Sequence, residues 1–402
     1  MKLPDAPWRE GSGMRAVLAA LDAEMGATRF VGGAVRDTLL GLPVSDVDLA
    51  TRLQPPEVIE RLQRAGIKAV PTGIAHGTIT AVPSDGPIEV TTLRRDVATD
   101  GRRATVAFTE DWRADAARRD FTINALFADP ATGEVQDYFG GEADLAGGCV
   151  RFIGDPLTRI AEDHLRILRF FRFTARFGSE PDVPGLSACT ARANDLMALS
   201  RERIADEWLK ILALPDPVST IALMIVHGIL RPVLPEIERT DALGALVARE
   251  SAAGIAPNPL RRLAALLPPD PALAANVAAR LRLSKGAAKR LVSAAGRSDE
   301  AVDPQALAYR EGADEAANRI LLGDGSLDQL AALADWHRPH FPLSGGDLIA
   351  MGFKPGPIVA RTLQAIEARW VKEGFPADPQ KVREIARAIV IPDLIQDQSS
   401  SA

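Results

Sequence analysis

The sequence predicts an α/β domain over roughly the first 145 residues, followed by a region built of helices alone. Two observations lead to this prediction. Short apolar runs rich in Val, Ile and Thr alternate with helical segments before about residue 145. Beyond residue 155, Ala and Leu dominate, and helical segments are separated by Pro and Gly. A chain of 402 residues is also too long for one ordinary core, so two or more domains are expected.

The α/β region alternates strand-like and helical segments. Strands are predicted where short runs are apolar and rich in β-branched residues, at 28–31, 47–51, 67–70, 78–82 and 88–93. Helices are predicted at 15–26, 35–40, 55–65 and 114–127. The polar stretch 95–111 has no clear period and is predicted to be a mobile loop. A hairpin is predicted to end near Tyr138.

The helical region opens with a predicted helix of about six turns. Asp155 supplies its N-cap, Pro156 occupies the first helical position, and Gly178 is the expected stop. Further helices are predicted as far as residue 337, and one more at 357–373. The last segment, 392–402, is predicted to be disordered.

Composition and charge exclude several classes of protein. The formal net charge of -6 gives no global basic field, so any RNA binding must come from local Arg clusters. Cys149 and Cys189 have no CxxC neighbour, which argues against structural zinc and a disulfide framework. No run of eighteen apolar residues predicts a membrane span, and the N-terminus lacks the apolar core of a signal peptide. A cytoplasmic location is therefore expected.

A Gly-Gly turn in the stretch Phe30–Thr51 indicates phosphate binding. Gly32 and Gly33 follow an apolar run and precede a helical segment, so their N–H groups can close on a phosphate. Arg36 lies one turn further as a second phosphate contact, and Asp37 is expected to fix that arginine or a nearby backbone group. The turn is neither a Walker loop nor a dinucleotide fingerprint, because G-x-x-x-x-G-K-[ST] and G-x-G-x-x-G are both absent.

A pair of aspartates ten and twelve residues after Arg36 indicates a metal site. Asp46 and Asp48 are two apart in a predicted strand, so both side chains are expected on one face. Such a pair can hold Mg²⁺ for two-metal nucleotidyl transfer, which makes both residues the candidate catalytic residues. Glu89 lies in another predicted strand and is either a third metal ligand or an outward-facing strand residue.

Four motifs occur in order along the chain: G-G-A-V-R-D, D-V-D, R-R-D-F-T-I-N-A-L and E-D-H-L-R-I-L-R. Together they resemble the class II CCA-adding tRNA nucleotidyltransferases and the bacterial poly(A) polymerases that share their catalytic part. The resemblance is close over about 28–178 and looser at L-S-G-G-D-L-I-A-M-G-F-K-P-G-P. It implies Mg²⁺ dependence and polymerisation without a nucleic-acid template. It also implies a nucleotidyltransferase head with a five-stranded mixed sheet, then a helical neck, body and tail, which fall here at 1–145, 146–212, 213–340 and 341–391.

An Asp–Arg pair in the fourth motif is suited to reading a base. Asp163 and Arg166 are three apart in the predicted long helix, so they are expected to be neighbours on one face. A carboxylate accepts from an exocyclic amino group, and a guanidinium donates to the adjacent ring nitrogen or carbonyl. Cytosine and adenine present an amino donor beside an acceptor nitrogen, whereas uracil and guanine present the reverse, so the pair selects C and A. The resemblance assigns this role to Glu162, Asp163 and Arg166; an ordinary surface salt bridge is the other interpretation.

The third motif supplies further nucleotide-binding candidates through the resemblance. In the family, the R-R-D-F-T-x-N segment contacts the incoming nucleotide. Arg119 is assigned to the triphosphate and Asn124 to the sugar, and Asp120 lies between them.

Two other places carry candidate arginines. Arg169 continues the predicted helix beyond Arg166 and is a candidate for the triphosphate or the RNA backbone, whereas Arg172 is expected to face away from the site. Arg102 and Arg103 lie in the polar stretch that matches the family's flexible loop, which is thought to help switch specificity from C to A.

The motifs together predict addition of CCA to the 3′ end of tRNA from CTP and ATP, with release of pyrophosphate. A poly(A) polymerase is one alternative, but T-G-I-A-H-G-T stands where such enzymes carry a basic segment. A partial enzyme that adds only CC or only A is another. A catalytically silent RNA-binding protein is the third, and the intact Asp46 and Asp48 argue against it. The expected partner is tRNA, with no DNA and no membrane.

Overall fold

The computed structural model describes residues 1–100, 103–178, 180–297, 303–323 and 325–399, with the backbone alone at 96–100, 103–106 and 390–399. It divides into two compact units, Met1–Arg239 and Thr240–Ala402. The first unit contains the whole of the predicted head and neck, and the domain boundaries at 145, 212 and 340 stay predictions. Among the described residues, no helix is long and apolar enough to cross a membrane.

A mixed sheet forms the core of the first unit. Its strands follow the spatial order β3-β4-β5-β2-β1-β8-β9, with only β2 and β5 paired in parallel. The strands are β1 (Thr28–Val31), β2 (Asp48–Thr51), β3 (Lys68–Gly73), β4 (Thr78–Val82), β5 (Ile88–Thr92), β6 (Arg94–Asp100), β7 (Arg103–Phe108), β8 (Phe127–Ala128) and β9 (Val135–Gln136). The mixed sheet is confirmed, but it has seven strands where five were expected, because the two short strands of the predicted hairpin join its edge.

The register of the central strands brings the end of β1 to the start of β2. Val31 pairs with Asp48 across the antiparallel β1–β2 ladder, and Asp48 pairs with Glu89 across the parallel β2–β5 ladder. The Gly-Gly turn follows Val31 directly. The glycines and the aspartates therefore meet at one edge of the sheet, although ten or more residues separate them in sequence.

The polar stretch predicted to be a mobile loop is largely a β-ribbon, so that prediction is wrong. Strands β6 and β7 pair with each other antiparallel, in a sheet separate from the main one. The signal was present in the sequence, because Asp100-Gly101 is a dipeptide typical of tight hairpins and β-branched residues flank it. Of the two candidate arginines here, Arg102 lies outside the described residues, and Arg103 begins β7 with its side chain not described.

Helices pack around the main sheet and continue to the end of the first unit. They are α1 (Ser12–Ala20), α2 (Gly33–Leu39), α3 (Pro55–Arg64), α4 (Trp112–Ala117), α5 (Gly141–Ala146), α6 (Pro156–Glu162), α7 (Arg166–Phe177), α8 (Val183–Ala191), α9 (Arg201–Leu212) and α10 (Val218–Val226). The helix predicted at 114–127 is therefore too long: α4 ends at Ala117, and a single 3₁₀ turn covers Thr122–Asn124. The reason is that the Asp120 carboxylate accepts from the Phe121 N–H, which competes with the helical ladder.

The six-turn helix predicted from Pro156 to Gly178 is broken into α6 and α7. Asp163 lies at the break with an extended backbone, at φ -152° and ψ 105°. Its carboxylate accepts from the Leu165 N–H at 3.1 Å, an Asx-type turn that replaces the helical hydrogen bond. The break changes the geometry of the candidate base reader, since Asp163 and Arg166 no longer share one helix.

The second unit is built of helices. They are α11 (Asp241–Ala252), α12 (Pro259–Leu266), α13 (Pro271–Arg280), α14 (Lys285–Ala295), α15 (Pro304–Glu311), α16 (Ala313–Leu322), α17 (Leu327–Ala334), α18 (Gly345–Ala350), α19 (Pro357–Lys372) and α20 (Pro379–Ser399). One apolar cluster around Trp370 and Ile366 packs α18, α19 and α20 against Tyr309. The last helix continues through most of 392–402, which differs from the predicted disorder; Leu394 and Ile395 are apolar helix formers that keep the pattern going beyond Pro392.

We predict that Gly141→Ala destabilises the protein by about 2 kcal/mol, the usual cost of overpacking a core. Gly141 begins α5, and a Cβ there would lie 2.3 Å from the carbonyl oxygen of Thr122. Gly286→Ala is the matched control, because Gly286 is exposed in α14 with open space where the Cβ would go. That change should stabilise by about 0.5 kcal/mol through helix propensity. Chemical denaturation of both variants measures the difference, and equal stabilities would contradict the packing argument.

Candidate active site

The Gly-Gly turn lies next to the R-R-D-F-T-I-N segment in the site. Gly32 caps α2 with φ +70° and ψ -125°, a conformation that favours glycine. A Cβ on Gly32 would lie 3.5 Å from Nη1 of Arg119 and 3.7 Å from the carbonyl oxygen of Asn124. These are ordinary contact distances, so the left-handed φ, and not a shortage of space, is what favours glycine where the turn meets the R-R-D-F-T-I-N segment.

The sequence predicts that the two aspartates of D-V-D lie in one strand, but in the structure they do not. Asp48 begins β2, whereas Asp46 lies two residues before the strand and is exposed, with Ser45 Oγ donating to its carboxylate at 2.9 Å. Both carboxylates nevertheless line the same pocket. Their convergence comes from the approach of the 44–47 segment to the strand end, not from strand alternation.

Asp48 sits in an environment that disfavours its negative charge. Partial burial raises the pKa of its carboxyl, the charge of Glu89 raises it further, and Arg119 opposes the shift. Glu89 stands beside Asp48 in the ladder but is exposed and does not line the pocket. Within the described residues, no group of three or more His, Cys, Asp and Glu side chains is arranged to hold a metal ion. Glu89 is thus an electrostatic neighbour of Asp48, and its role as a metal ligand stays a prediction.

Arg118 and Arg119 are both held by a buried carboxylate that sequence reasoning missed. Asp115 accepts from Arg118 Nε at 2.8 Å, from Arg119 Nη2 at 3.1 Å and from the backbone N–H of Arg94 at 3.1 Å. Burial lowers the pKa of Arg118 to about 10, so it remains charged at neutral pH. The i,i+3 and i,i+4 spacing to Asp115 was the available signal in the sequence.

Asn124 is fully engaged inside the protein. Its Nδ2 donates to Asp120 Oδ1 at 3.0 Å, and its Oδ1 accepts from Arg36. Arg36 is itself buried, pairs with Asp37 at 2.7 Å and lies against the rings of Phe173 and Phe177. Both residues line the pocket, but their polar groups already have partners, so they support the pocket wall.

Asp120 joins the head to α7. Its Oδ2 accepts from Arg169 Nε at 2.7 Å and Nη2 at 2.6 Å. Burial alone would raise the pKa of Asp120, but the Arg169 charge and the Asn124 hydrogen bond outweigh it, and the pKa is lowered. Asp120 therefore stays ionised and holds Arg169 at the pocket.

The break between α6 and α7 separates the side chains of the predicted base reader. Arg166 Nη1 donates to Glu162 at 2.7 Å and to the Arg159 carbonyl at 3.0 Å, and Nη2 donates to the Arg118 carbonyl at 3.0 Å. The Asp163 carboxylate instead accepts from Arg203 at 2.9 and 3.1 Å. Neither an exposed Asp163–Arg166 salt bridge nor a shared helical face is present. Each side chain lines the pocket with its own supporting partners.

A stripe of arginines continues along α7. Arg172 donates to Glu207 at 2.7 Å, and Arg176 donates to Asp37 at 3.0 Å. Both line the pocket, so the expectation that Arg172 faces away is wrong. Glu207 on α9 is buried, and its ion pair with Arg172 fixes the position of that guanidinium in the pocket lining.

These side chains surround one pocket of about 670 Å³ within the first unit. Among its described lining residues, arginines outnumber aspartates by eight to five, which suits a polyanionic ligand. The lining includes all of the predicted site residues except Glu89, Glu162 and the two ribbon arginines: Gly32, Gly33, Arg36, Asp46, Asp48, Arg119, Asp120, Asn124, Asp163, Arg166 and Arg169. It also contains residues that were not predicted, Val44, Ser45, Arg94 and Phe173 among them, and Arg176, which continues the predicted arginine series of Arg169 and Arg172.

Comparison with known proteins places this pocket in a family. Residues 28–151 match the poly A polymerase head domain, and 186–240 match a probable RNA and SrmB-binding site of polymerase A. The chain is 35% identical to CCA tRNA nucleotidyltransferase 1, mitochondrial, of Mus musculus over 90% of its own length and 87% of the relative's. It is 30% identical to the CCA-adding enzyme of Limosilactobacillus fermentum, over 96% of this chain and 98% of that one. The chain belongs to the class II CCA-adding tRNA nucleotidyltransferase family.

The fold of this nucleotidyltransferase agrees with that assignment. The crystal structure of the Bacillus stearothermophilus CCA-adding enzyme in complex with CTP superposes with a TM-score of 0.73 at 22% identity, covering 97% of this chain and all of the other. The match to the RNA-binding segment ends at residue 240, one residue beyond the end of the first compact unit at Arg239. The nucleotidyltransferase head and that segment therefore form one compact unit.

We predict that Asp48→Asn stabilises the nucleotidyltransferase when divalent cations are removed. A carboxyl whose pKa is raised on folding disfavours the folded state at neutral pH, and Asn removes that cost. Thermal unfolding in a chelator at pH 7 should show a higher melting temperature. The gain should shrink as the pH falls through the raised folded-state pKa of Asp48, and it should be gone below the pKa of the unfolded carboxyl. Asp46→Asn is the control, because Asp46 is exposed and should leave the melting temperature unchanged. A loss of stability in Asp48→Asn would refute the argument.

Proposed function

We propose that this protein adds CCA to the 3′ end of tRNA from CTP and ATP at this pocket, by two-metal nucleotidyl transfer that releases pyrophosphate. The observation that carries the proposal is the convergence of two unlike sites. The pair Asp46 and Asp48, suited to metal and phosphate, lines the same pocket as Asp163 and Arg166, suited to a base. A nucleoside triphosphate has both kinds of group, and the pocket is large enough for a ligand of that class.

The carboxylate pair fits a hard divalent cation. Oxygen ligands are those that Mg²⁺ prefers, and the Asp48 carboxyl lies where burial and Glu89 disfavour an uncompensated negative charge. Asp46 and Asp48 would hold such a cation, and its positive charge would offset that cost. When bound, Mg²⁺ supplies charge neutralisation for the phosphates and a lower pKa for the attacking 3′-hydroxyl of the tRNA.

The arginines of the pocket are arranged to hold a triphosphate. Arg119 lies next to the Gly-Gly turn, and Arg169 and Arg172 come from α7 on the opposite side. Each is fixed by a buried or half-buried carboxylate, so little side-chain freedom is lost when a phosphate binds. Fixed positive charge beside the leaving pyrophosphate is the electrostatic contribution that the chain itself makes to catalysis.

Asp163 and Arg166 retain the groups needed to read a base. Among described partners, the Nε–H and one Nη2–H of Arg166 are unused, and these can donate to a ring nitrogen and a carbonyl. The Asp163 carboxylate accepts from Leu165 and Arg203, which leaves lone-pair capacity for one exocyclic amino group. This donor and acceptor pattern matches cytosine and adenine. The protein thereby takes the place of a template.

Other features support tRNA as the second substrate. Residues 186–240 match a described RNA-binding segment, and the relatives over the full length are named for CCA addition. The predicted tail at 341–391 would contact the tRNA by phosphate and shape recognition, as is usual for structured RNA. A cytoplasmic site of action remains a prediction of the sequence.

One assay tests the whole proposal. Purified protein with Mg²⁺ is given tRNAs that end before C, CC or CCA, with each nucleoside triphosphate alone and in combination, and the products are sequenced. We expect the series C, CC and CCA, with no extension of a finished end. Long runs of A would indicate a poly(A) polymerase, an arrest at CC would indicate a partial enzyme, and tRNA binding without incorporation would indicate a silent RNA-binding protein.

We predict that Asp46→Ala lowers nucleotide incorporation by at least about a thousandfold, the scale of losing a main electrostatic group. Binding of tRNA should be unchanged, because Asp46 is exposed and the substitution leaves the fold intact. Asp206→Ala is a control of the same residue type, since Asp206 pairs with Lys210 on the surface outside the pocket. Single-turnover incorporation of CTP measures the effect, and substantial turnover by Asp46→Ala would remove the metal assignment.

We predict that Asp163→Ala relaxes the choice of base. Losing the acceptor of the exocyclic amino group should lower the ratio of kcat/KM for CTP over UTP by about tenfold or more, the scale of one base-reading contact. Incorporation of CTP itself should persist at a reduced rate, since the metal and triphosphate contacts remain. An unchanged CTP-to-UTP ratio would contradict the base-reading role.

A further inference from the structure

Helix α9 contributes two charged side chains that lie behind the pocket. Arg203 and Glu207 are four residues apart, so they project from one face of the helix. Arg203 donates to both oxygens of Asp163, at 2.9 and 3.1 Å. Glu207 is buried and accepts from Arg172 at 2.7 Å, with Arg169 at 3.8 Å. One helix thus supports the base-reading carboxylate and the triphosphate-binding arginines through opposite charges.

Asp163 needs such support because no helix orients it. Its backbone is extended, at the break between α6 and α7, and the carboxylate is held locally by a single hydrogen bond from the Leu165 N–H. With that bond alone, the χ2 angle of the aspartate can take a broad range of values, and the second oxygen has no fixed direction. Arg203 contacts both oxygens and so fixes the plane of the carboxylate.

We propose that Arg203 is a specificity-determining positioning residue, which orients the Asp163 carboxylate so that its remaining lone pair meets the amino group of cytosine or adenine. The proposal rests on the proposed base-reading role of Asp163. Arg203 itself does not line the pocket, so it acts through Asp163 and not by touching the base. A freely turning carboxylate loses its directional preference and with it part of the penalty against uracil and guanine.

The exposure of this pair argues for a functional role and against a purely structural one. The Arg203 side chain is 47% exposed and that of Asp163 is 34% exposed. Ion pairs this accessible contribute little to folding stability. Removal of the Arg203 charge should therefore change nucleotide choice while leaving the melting temperature almost unchanged, a combination that a structural role would not give.

The test compares Arg203→Met and Arg203→Lys with wild type, with kcat/KM measured for CTP and UTP on a tRNA that ends before CC. We expect Arg203→Met to lower the CTP-to-UTP ratio about fivefold to tenfold, because one directional base contact is worth that order of discrimination. Arg203→Lys should restore part of the ratio, since both oxygens of Asp163 are contacted by the single nitrogen Nη2, and an ammonium keeps a charged donor but not the planar shape of the guanidinium. Arg201→Met is the control, because Arg201 lies on the same helix against Met197 and outside the pocket.

Comparison with Glu207→Gln distinguishes the support that α9 gives to Asp163 from the support that it gives to Arg169 and Arg172. That variant weakens the support of Arg169 and Arg172, so it should raise KM for CTP, ATP and UTP by a similar factor and leave their ratios unchanged. If Arg203→Met also raised all KM values alike with no change in ratio, or if Arg201→Met lowered the ratio equally, the proposal would be overturned.

A double substitution separates failure of this inference from failure of the base-reading role. If Arg203 acts through Asp163, adding Arg203→Met to Asp163→Ala should not lower the CTP-to-UTP ratio further. A further loss in the double variant would show that Arg203 affects the base independently and would overturn the positioning claim. If Asp163→Ala alone left the ratio unchanged, the base-reading role would fail; if only Arg203→Met left it unchanged, the inference about Arg203 alone would fail.

Discussion

Like-charge repulsion is the constraint on which the structure of the first unit depends. Eight arginines among the described residues line one pocket. Without acidic partners, cations at such short distances would repel one another and oppose folding. Acidic side chains pair with most of these arginines: Asp37 and Asp120 within the lining, and Asp115, Glu162 and Glu207 outside it. Several of these partners are buried, so the pairs are shielded from solvent and hold fixed positions. The result is a pocket with rigid positive charge before any phosphate arrives.

The same ion pairs join the sheet to the helices that follow it. Asp120 in the head holds Arg169 on α7, and Asp37 on α2 holds Arg176 further along the same helix. The stacked rings of Phe173 and Phe177 and the buried Arg36 fill the space between these two pairs. Groups that bind phosphate and groups that fix the helix orientation are thus largely the same residues. Substitutions here are expected to affect affinity and packing together, which is why exposed positions such as Asp46 and Arg203 give cleaner tests.

Much of the fold was predictable because its signals are local. Strands 28–31 and 78–82 have the predicted bounds, and α3 at Pro55–Arg64 lies within a residue of its prediction, since β-branched runs and Pro or Gly boundaries decide these elements. The errors occur where an aspartate side chain competes with the backbone. Asp120 and Asp163 each accept a nearby N–H, end a helix that periodicity would continue, and take part in the pocket. Propensity could not anticipate those breaks, because the gain comes from partners distant in sequence, Arg169 and Arg203.

The sequence indicated the residues suited to bind metal and base, but not the residues that hold those side chains in place. Asp46, Asp48, Asp163 and Arg166 stood out in the sequence because few residue types suit the proposed tasks, and all four line the pocket. The residues behind them were missed: Asp115, Glu207 and Arg203 carry no motif that distinguishes them from surface charges of ordinary helices. Their importance follows from what they touch. A carboxylate on an extended backbone has a direction only if another group imposes it, and in this protein that group comes from a helix forty residues further along the chain. Under the proposed base-reading role, the choice of base depends on two helices and on the break between α6 and α7, and the motif alone describes only the part that lines the pocket.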